Sequence, residues 1–460
     1  MRVLLAVPRS HNPKQMYREY PLGVGYLATI LEQQGHAVRI FDQNVEGPED
    51  GLLLDLAARF EPGVVGFSVI TPNYPVARRQ IQRLKAEHPG IRVIAGGIHA
   101  NLFPEDLVAD GADVVVLGEG EPVIARLVGA FEEGRSFGGL PGLAFGDPGG
   151  QVIRTPGGPL VARLEQVPVV KRSLYNLARY AHHSMMASRG CPYHCAFCCN
   201  YTGTVRNNGV GVRGPGSVLA EMLHLRDRYG AREIFFADDL FLLCKKDILE
   251  FCRACADCRP GVEWIGQLRA NQVDDGVGAA MAQAGCRRVY FGVESGSENI
   301  LSNAKKGITC AQIRQGVRAA QKAGLRVKTG WIYGLPGSLE EQYASIPFML
   351  ELCPQEISIH QLIPFPGTVY YQDPARFGIR IAHPKAFESF CYGGLDGNIR
   401  FDYLSHSQLV QLLEDTAKAL EGAGYVSSDH AGPNSEFIYT TPLNKNSMNV
   451  FRPSEGNCGQ

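Results

Sequence analysis

Short apolar runs alternate with longer amphipathic stretches along the first 134 residues. The apolar runs have the length of β-strands and lie at 2–7, 37–41, 63–69, 92–95 and 113–117. The stretches between them repeat apolar residues at intervals of three and four, which is the spacing of helices. Strands that alternate with helices are typical of a parallel sheet covered on both faces. The pattern therefore predicts a flavodoxin-like, doubly wound α/β domain of the Rossmann type, with its ligand at the carboxyl ends of the strands.

A second alternation of strands and helices follows after a break. Residues 135–182 contain clusters of Gly and Pro, which predicts a linker that includes a hairpin. Six strand–helix units are predicted within 183–369, and this number favours a partial (β/α)6 TIM-like barrel over a complete barrel of eight units. Residues 370–460 show no clear periodicity. We expect them to form a mixed C-terminal segment that shapes substrate choice.

Composition limits the classes of protein to which the chain can belong. Of the 460 residues, 45% are apolar and 20% are charged, and the formal net charge is −1. This balance is that of a globular protein with a sizeable core. It provides no basic excess for a nucleic-acid partner. Because no run of 18 apolar residues occurs, we expect no transmembrane helix and no membrane partner.

The cysteines are concentrated in the second part of the chain. None of the 13 precedes Cys191, whereas a secreted disulfide scaffold spreads its cysteines through a short chain. This distribution indicates a reducing compartment, and we expect a cytoplasmic protein. It also indicates metal chemistry.

Three cysteines, Cys191, Cys195 and Cys198, lie directly after the first predicted barrel strand, where barrel enzymes carry catalytic loops. Full protein ligation of a 4Fe–4S cluster takes four cysteines. Three close thiolates would therefore leave one iron open to bind a substrate. Three inert buried thiols are the alternative, and the spacing, placement and flanking residues favour the cluster. Neighbouring Cys199 is expected to be a bystander thiol.

A second series, Cys252, Cys255 and Cys258, lies on a predicted helix at intervals of three residues. Such thiols lie roughly on one helix face. They would form either an auxiliary cluster or part of a packed helix. We favour the packed helix because a rigid helix wraps a cubane less readily than a loop does.

Segment 188–198 resembles the signature of the radical S-adenosylmethionine (SAM) superfamily, with C-x3-C-x2-C spacing and an aromatic residue before the third cysteine. The resemblance implies a 4Fe–4S cluster on Cys191, Cys195 and Cys198, whose open iron chelates SAM. An electron, supplied by a donor such as flavodoxin or ferredoxin, would then cleave SAM to a 5′-deoxyadenosyl radical. The implied SAM contacts lie on the cluster loop and at later strand ends: Phe197, Asp238, Asp239, Gln267, Arg269, Glu294, Ser295, Trp331 and Tyr333.

The first domain resembles the cobalamin-binding domains that precede some radical SAM barrels, on segment 20–27 and the glycine turns 96–100 and 118–121. The resemblance implies that Thr71, Pro72, Asn73 and Tyr74 face the cobalt. It also implies that the nucleotide tail lies against the glycine turns at Gly96, Gly97, His99, Gly118, Glu119, Gly120 and Glu121. A purely structural domain with tight turns is the alternative.

The Asp-x-His-x-x-Gly signature that supplies an imidazole to cobalt in other cobalamin proteins is absent. His99 is therefore expected to make a turn contact, and cobalamin to bind base-off without histidine ligation. The first domain also has no cysteine, which argues against a methylthiotransferase, because those enzymes carry a second cluster there.

The resemblance implies a cobalamin-dependent methyltransferase that uses the 5′-deoxyadenosyl radical and methylcobalamin to methylate an unactivated carbon of a small-molecule natural product. The alternatives are a non-methylating enzyme with the same cofactors, such as an oxidative cyclase or a ring-rearranging enzyme, and a non-catalytic sensor. Tyr333 and His360, at predicted strand ends, are candidates for acid–base chemistry.

Overall fold

The structure is a computed structural model that describes residues 1–11, 19–157, 161, 164–199, 210–391, 397–427 and 437–440. It contains two large sheets, one in each half of the chain. No helix in this described part is long and apolar enough to span a membrane. Residues 441–460 of the predicted substrate-shaping tail lie outside the described residues.

The first sheet begins with five parallel strands: β1 Arg2–Val7, β2 Ala37–Asp42, β3 Val64–Ser68, β4 Arg92–Gly96 and β5 Val114–Val116. Their order is β2-β1-β3-β4-β5, which is the doubly wound order of flavodoxin-like folds. The helices between and after them are α1 Leu22–Gln33, α2 Gln43–Glu46, α3 Gly51–Phe60, α4 Tyr74–Glu87, α5 Ile98–Leu102, α6 Pro104–Ala109 and α7 Ile124–Glu132. The predicted fold class of this half is confirmed.

Two apolar cores sandwich the first sheet, because its strands are buried on both faces. One core packs α1 and α7 against residues such as Val3 and Val114. The other packs α3, α4 and α6 against residues such as Leu4 and Val65. Alternate residues of each strand therefore enter opposite cores, as the pleat requires.

The turn-rich region after α7 supplies a hairpin of β6 Leu143–Gly146 and β7 Val152–Arg154. Strand β6 pairs antiparallel with β5, so the hairpin extends the first sheet to seven strands. The hairpin was predicted within the linker, but its attachment to the sheet was not.

The second sheet has six parallel strands: β8 His183–Met185, β11 Glu233–Phe236, β12 Glu263–Leu268, β13 Cys286–Glu294, β14 Arg326–Tyr333 and β15 Glu356–Gln361. They follow in the order β8-β11-β12-β13-β14-β15, and no pairing closes the sheet among the described strands. The helices that cover it are α8 Pro215–Tyr229, α9 Lys245–Cys258, α10 Asp275–Gln283, α11 Glu298–Asn303, α12 Cys310–Lys322, α13 Leu339–Tyr343 and α14 Ser345–Leu352. This arrangement confirms the partial barrel of six units.

A short two-stranded sheet, β9 Ser188–Arg189 with β10 Gly211–Val212, follows β8 and begins the cysteine loop. The C-terminal segment adds α15 Val369–Gln372, the hairpin β16 Ile379–Ile381 and β17 Ile399–Phe401, and α16 His406–Gly422. Strand β19 Phe437–Thr440 then pairs antiparallel with β15, and β18 Val426–Ser427 pairs antiparallel with β19, so both extend the second sheet. The expectation of a segment without clear periodicity therefore missed a 17-residue helix. Its signal was the capping box of Ser405 and Gln408.

A buried ion triad fixes the region between the two sheets to the barrel. Glu221 on α8 binds Arg172 at 3.2 Å and Arg213 at 2.6 Å, and the Glu221 side chain is 1% exposed. Arg172 also donates to the carbonyl oxygen of Ser184 in β8 at 2.6 Å. Each charge is therefore balanced only while all three side chains stay in place.

Glu221→Gln should lower the free energy of unfolding by about 3 kcal/mol, because it leaves two arginines buried without a counter-charge. Glu263→Gln is the matched control, since Glu263 forms an exposed ion pair with Arg287, and it should change stability by less than about 1 kcal/mol. Urea denaturation followed by circular dichroism measures both. Equal midpoints for the two variants would contradict the prediction.

Candidate functional site

A cavity of about 470 Å³ lies between the carboxyl ends of the strands in the first sheet and the start of the cysteine loop. On one side it is lined by the glycine turns that follow β4 and β5. On the other side it is lined by Met186, Arg189, Gly190 and Asp239. The two halves of the chain thus share one enclosed space.

The glycine turns allow the backbone to form the cavity wall. Gly97 has φ 108°, and a Cβ there would lie 2.5 Å from the carbonyl oxygen of Val69, so only glycine fits. Gly118 has φ 86°, and a Cβ at Gly118 or Gly23 would meet no atom within 4 Å. The predicted residues Gly96, Gly97, Gly118, Glu119, Gly120 and Glu121 all line the cavity. Their open glycines and apolar neighbours suit a large ligand that needs close backbone approach.

The segment Thr71–Tyr74 is turned into the protein rather than toward the cavity. Its four residues are buried, and Tyr74 donates to Asp110 at 2.7 Å. Asn73 donates to the carbonyl oxygens of Pro8 and Ser68. Their side chains are paired or packed internally and are not among the residues that line the cavity, and that Thr71, Pro72, Asn73 and Tyr74 face the cobalt stays a prediction.

His99 makes the turn contact that was expected of it. Its Nδ1 lies 3.1 Å from Thr71 Oγ1, and its ring packs at 4.2 Å on Tyr74 and edge-on at 4.7 Å against Phe387. Burial, with a smaller contribution from Lys385, lowers the pKa of His99 to about 3. The imidazole is therefore neutral and enclosed in an aromatic cage, away from the cavity wall.

The cysteine loop is held at its base by Asp238, which is 2% exposed. Its carboxylate accepts hydrogen bonds from the backbone of Ala187 and from both the backbone and the hydroxyl of Ser188. Burial raises the pKa of Asp238 to about 7, although these donors oppose the shift. Asp238 therefore anchors the loop, whereas exposed Asp239 beside it lines the cavity. The predicted SAM contact thus fits Asp239 better than Asp238.

Cys195, the middle cysteine of the loop, is buried, and Arg269 from the end of β12 reaches its sulfur at 3.9 Å. The guanidinium of Arg269 also lies 3.7 Å above the ring of Tyr193 and donates to the carbonyl oxygen of Lys306. A fixed positive charge at this distance stabilises a thiolate. Cys191 is half-buried, and burial raises its pKa.

A buried ion pair lies at the end of β13. Lys306 donates to Glu294 at 2.6 Å, and its ammonium lies 5.7 Å from the ring of Phe197 in the cysteine loop. Glu294 has φ 70°, which is rare for a residue with a side chain and is often found at functional sites. Ser295 accepts a hydrogen bond from Ser297 and helps to begin α11. Glu294 and Phe197 are thus together, while Ser295 supports the turn.

Trp331 and Tyr333 face away from the inside of the barrel. Trp331 donates to Thr329 at 3.0 Å, and the Tyr333 hydroxyl lies 2.8 Å from Thr416 on α16. Both side chains belong to the core between sheet and helices. They were predicted as SAM contacts, and Tyr333 also as an acid–base candidate. The structure corrects both side-chain roles, because the strand's pleat places these residues on the helix side.

His360 occupies the opposite face of its strand from Ile359 and lies 3.2 Å from Ser358. Gln267 likewise alternates with the buried Leu268 and faces the inside of the barrel. Sequence reasoning missed Lys306, and also Tyr290, whose hydroxyl lies against Gly330, with Lys328 5.3 Å from its ring. For Tyr290, a polar residue at every second position of its strand was the available signal, whereas Lys306 lies in the loop after α11, where no such pattern exists.

The second cysteine series forms part of a packed helix. Cys252 and Cys255 on α9 are buried, and burial raises the pKa of each thiol to about 12. Cys258 is exposed at the end of the helix. The two buried thiols pack in the core between the second sheet and its helices, away from exposed Cys258, so this geometry favours the packed-helix interpretation over an auxiliary cluster.

The described residues fit a cluster at the Cys191–Cys198 loop. No three His, Cys, Asp or Glu side chains in the described part of the chain converge on one point as ligands of a single metal ion would. A 4Fe–4S cubane makes no such demand, because each cysteine ligates a different iron. Three thiols on one loop after a barrel strand, with Arg269 beside them, provide a suitable set of donors.

Two families of proteins match the chain: the B12 binding domain over residues 16–128 and the Radical SAM superfamily over residues 185–346. An uncharacterized methyltransferase of Pyrococcus horikoshii is 30% identical over 383 residues, which cover 80% of this chain and 82% of the relative. An anaerobic magnesium-protoporphyrin IX monomethyl ester cyclase of Rubrivivax gelatinosus is 27% identical over 364 residues, or 75% of this chain and 65% of the relative.

Among solved structures, the chain is similar to the radical S-adenosylmethionine methyltransferase TsrM of Kitasatospora setae, which was determined with cobalamin and a 4Fe–4S cluster bound. The TM-score is 0.71 at 21% identity, and the match covers 96% of this chain and 88% of TsrM. At this level of identity the likeness shows a shared fold.

Cys195→Ala should abolish cluster assembly, because it removes the buried middle thiol of the three proposed cluster ligands. Iron and sulfide content after anaerobic reconstitution, together with 5′-deoxyadenosine formation from SAM, measures the effect. Cys258→Ala, at an exposed helix end, is the control and should keep both. Normal iron content and SAM cleavage in Cys195→Ala would refute the assignment.

Gly23→Phe should weaken the binding of hydroxocobalamin by about tenfold or more, because the ring would fill space at the cavity wall. Gly129→Phe is the control, since Gly129 also lies in a helix, has no atom within 4 Å of an added Cβ and lies outside the cavity. Spectroscopic titration of each purified variant gives the dissociation constants. Equal affinity of Gly23→Phe and wild type would place the ligand elsewhere.

Proposed function

This chain belongs to the radical SAM superfamily and carries a B12-binding domain in front of its radical SAM domain, and from that premise we propose that it is a cobalamin-dependent methyltransferase. The proposed reaction methylates an unactivated carbon of a small molecule. The likeness to the methyltransferase of Pyrococcus horikoshii supports this proposal.

The observation that carries the proposal is the cavity that both halves of the chain line together. One wall of this space is a turn of the B12-binding domain, Gly118–Glu121. Another wall is the start of the cysteine loop, Arg189 and Gly190. Methyl transfer that uses both cofactors requires their reactive parts to face one substrate. A shared enclosed space meets this requirement.

The cluster with SAM would supply a carbon-centred radical, and cobalamin would supply the methyl group. Cys191, Cys195 and Cys198 would hold three irons, and Arg269 would stabilise the buried thiolate of Cys195. Asp239, exposed at the cavity edge, is suited to accept hydrogen bonds from the amino group of SAM.

The cavity walls would keep water away from the reacting groups. Apolar side chains such as Val24, Leu27 and Val116 line it, and such side chains offer water no hydrogen-bond partner. Exclusion of water and of side reactions is a general requirement for reactive intermediates in enzymes. His360, on the inner face of β15, is placed for a proton-transfer role if the substrate extends into the barrel.

The proposed partners follow from this chemistry. We propose a small-molecule substrate, because the similar TsrM of Kitasatospora setae was also determined with tryptophan as substrate. We also propose an external one-electron donor such as flavodoxin or ferredoxin, because reductive SAM cleavage consumes an electron. The proposed location is the cytoplasm, since the cysteines are confined to the second part of the chain, unlike those of a secreted disulfide scaffold.

A non-methylating reaction is the second candidate. The observation that favours it is the 27% identity to the cyclase of Rubrivivax gelatinosus over 75% of this chain. An oxidative cyclase would use the same two domains, so the fold does not separate the two reactions. Products do separate them.

An anaerobic turnover experiment distinguishes the two candidate reactions without a known substrate. The chain is reconstituted with iron, sulfide and hydroxocobalamin and is given methyl-labelled SAM under strong reduction. The methyltransferase should release S-adenosylhomocysteine and pass the label to the corrinoid. Chain loaded with cluster but not with hydroxocobalamin is the control and should release none. Formation of 5′-deoxyadenosine alone by the fully loaded enzyme would favour the non-methylating reaction.

A further inference from the structure

The two halves of the chain are joined at the cavity by an ion triad that no catalytic role explains. Arg189, two residues before the first cluster cysteine, donates to Glu119 at 2.8 Å and to Glu121 at 2.7 Å. The two carboxylates belong to the glycine turn after β5 and are each 10% exposed, and the Arg189 side chain is 23% exposed.

The geometry of this triad makes it specific. The guanidinium has a rigid planar fork, and here each terminal nitrogen binds a different carboxylate. Without Arg189, the two glutamates would repel each other across a partly desolvated turn. Burial disfavours the charge of Arg189, but Glu121 and Glu119 outweigh this effect and raise its pKa.

Each end of the triad is fixed to its own domain. On the barrel side, Ser188 is bound by buried Asp238 immediately before Arg189. On the other side, the side-chain carbonyl of Asn101 accepts from the backbone of Gly118. Glu119 also accepts a hydrogen bond from the backbone of Val161. A displacement of either domain would therefore be transmitted through the triad to the other.

We propose that Arg189, Glu119 and Glu121 form a positioning latch that sets the distance between the cluster loop and the glycine turn of the B12-binding domain. The Arg189 guanidinium is the barrel's half of the latch, and the paired glutamates are the other half. This role also accounts for the placement of the two glutamates. The sequence assigned their carboxylates to cobalamin contact, and in the structure both form ion pairs with Arg189.

The effect of the latch on catalysis rests on the proposed function. The structural test of the latch does not. Two cofactors react efficiently only when they are held in register, and a misplacement of about 1 Å can cost roughly 100-fold in rate. Loss of the latch should therefore favour SAM cleavage that is not followed by methyl transfer.

Hydrogen–deuterium exchange of the chain without cofactors tests the latch directly. Glu121→Gln should speed exchange about tenfold in the barrel loop 188–191, although the substitution lies in the other domain. Arg189→Gln should do the same for turn 118–121, and Arg189→Lys should have an intermediate effect, since lysine keeps the charge but not the fork. Arg287→Lys, in an exposed ion pair with Glu263, is the control and should leave both segments unchanged.

The double variant Arg189→Gln/Glu121→Gln shows whether the residues act together. The rate of exchange in the double variant should equal that of the stronger single variant, because either substitution already breaks the same interaction. Additive effects, or exchange that changes only within the substituted domain, would overturn the proposal. If Arg189→Gln does not fold, the test rests on Glu121→Gln alone, and exchange in the barrel loop 188–191 that equals the wild-type rate would overturn the proposal.

A second measurement separates the latch from the proposed function. In reconstituted enzyme with SAM and hydroxocobalamin, Glu121→Gln should lower the ratio of S-adenosylhomocysteine to 5′-deoxyadenosine about tenfold at unchanged iron content, as expected for misaligned cofactors. An unchanged ratio would overturn the latch. Wild-type enzyme that releases no S-adenosylhomocysteine would refute the methyltransferase proposal, while the exchange experiment would still test the latch.

Discussion

The parallel pairing of strands in both large sheets is the constraint on which the site depends. Neighbouring parallel strands run the same way, so the loops that follow them gather at one edge of the sheet. The first sheet has five such strands and the second has six, and loops at the carboxyl ends of both sets border a common cavity. Chemistry that needs two cofactors depends on this arrangement, because neither sheet alone offers an enclosed space bounded by both sets of loops.

Charged groups hold this arrangement together with apolar packing, since one apolar core joins Leu4 of the first domain to Ile300 and Leu335 of the barrel. The ion triad of Glu221 is buried and ties the region between the sheets to the barrel. The ion triad of Arg189 is partly exposed and spans the cavity edge. Directional, charge-assisted bonds fix orientation in a way that apolar packing does not. The interface between the domains therefore combines apolar packing with a few directional ion pairs.

Several polar residues near the site serve the backbone rather than a ligand. Asp238 accepts from the backbone at the base of the cysteine loop, and Asn73 satisfies carbonyl groups beside its own turn. Such residues make a loop rigid enough to hold metal ligands or to line a cavity. A polar residue at a strand end is therefore weak evidence for ligand contact until its hydrogen bonds are known.

The sequence by itself determined the alternation of parallel strands and helices in the first domain and the barrel, and it also determined the cysteine loop, because periodicity and local ligand spacing are properties of neighbouring residues. It also located the glycine turns that line the cavity. Only the tertiary structure decided which side chains face inward: Trp331 and Tyr333 turn to the helices, and Glu119 and Glu121 pair with Arg189, some 70 residues away. Side-chain direction and long-range charge pairing depend on how distant segments pack, and no local pattern encodes that packing.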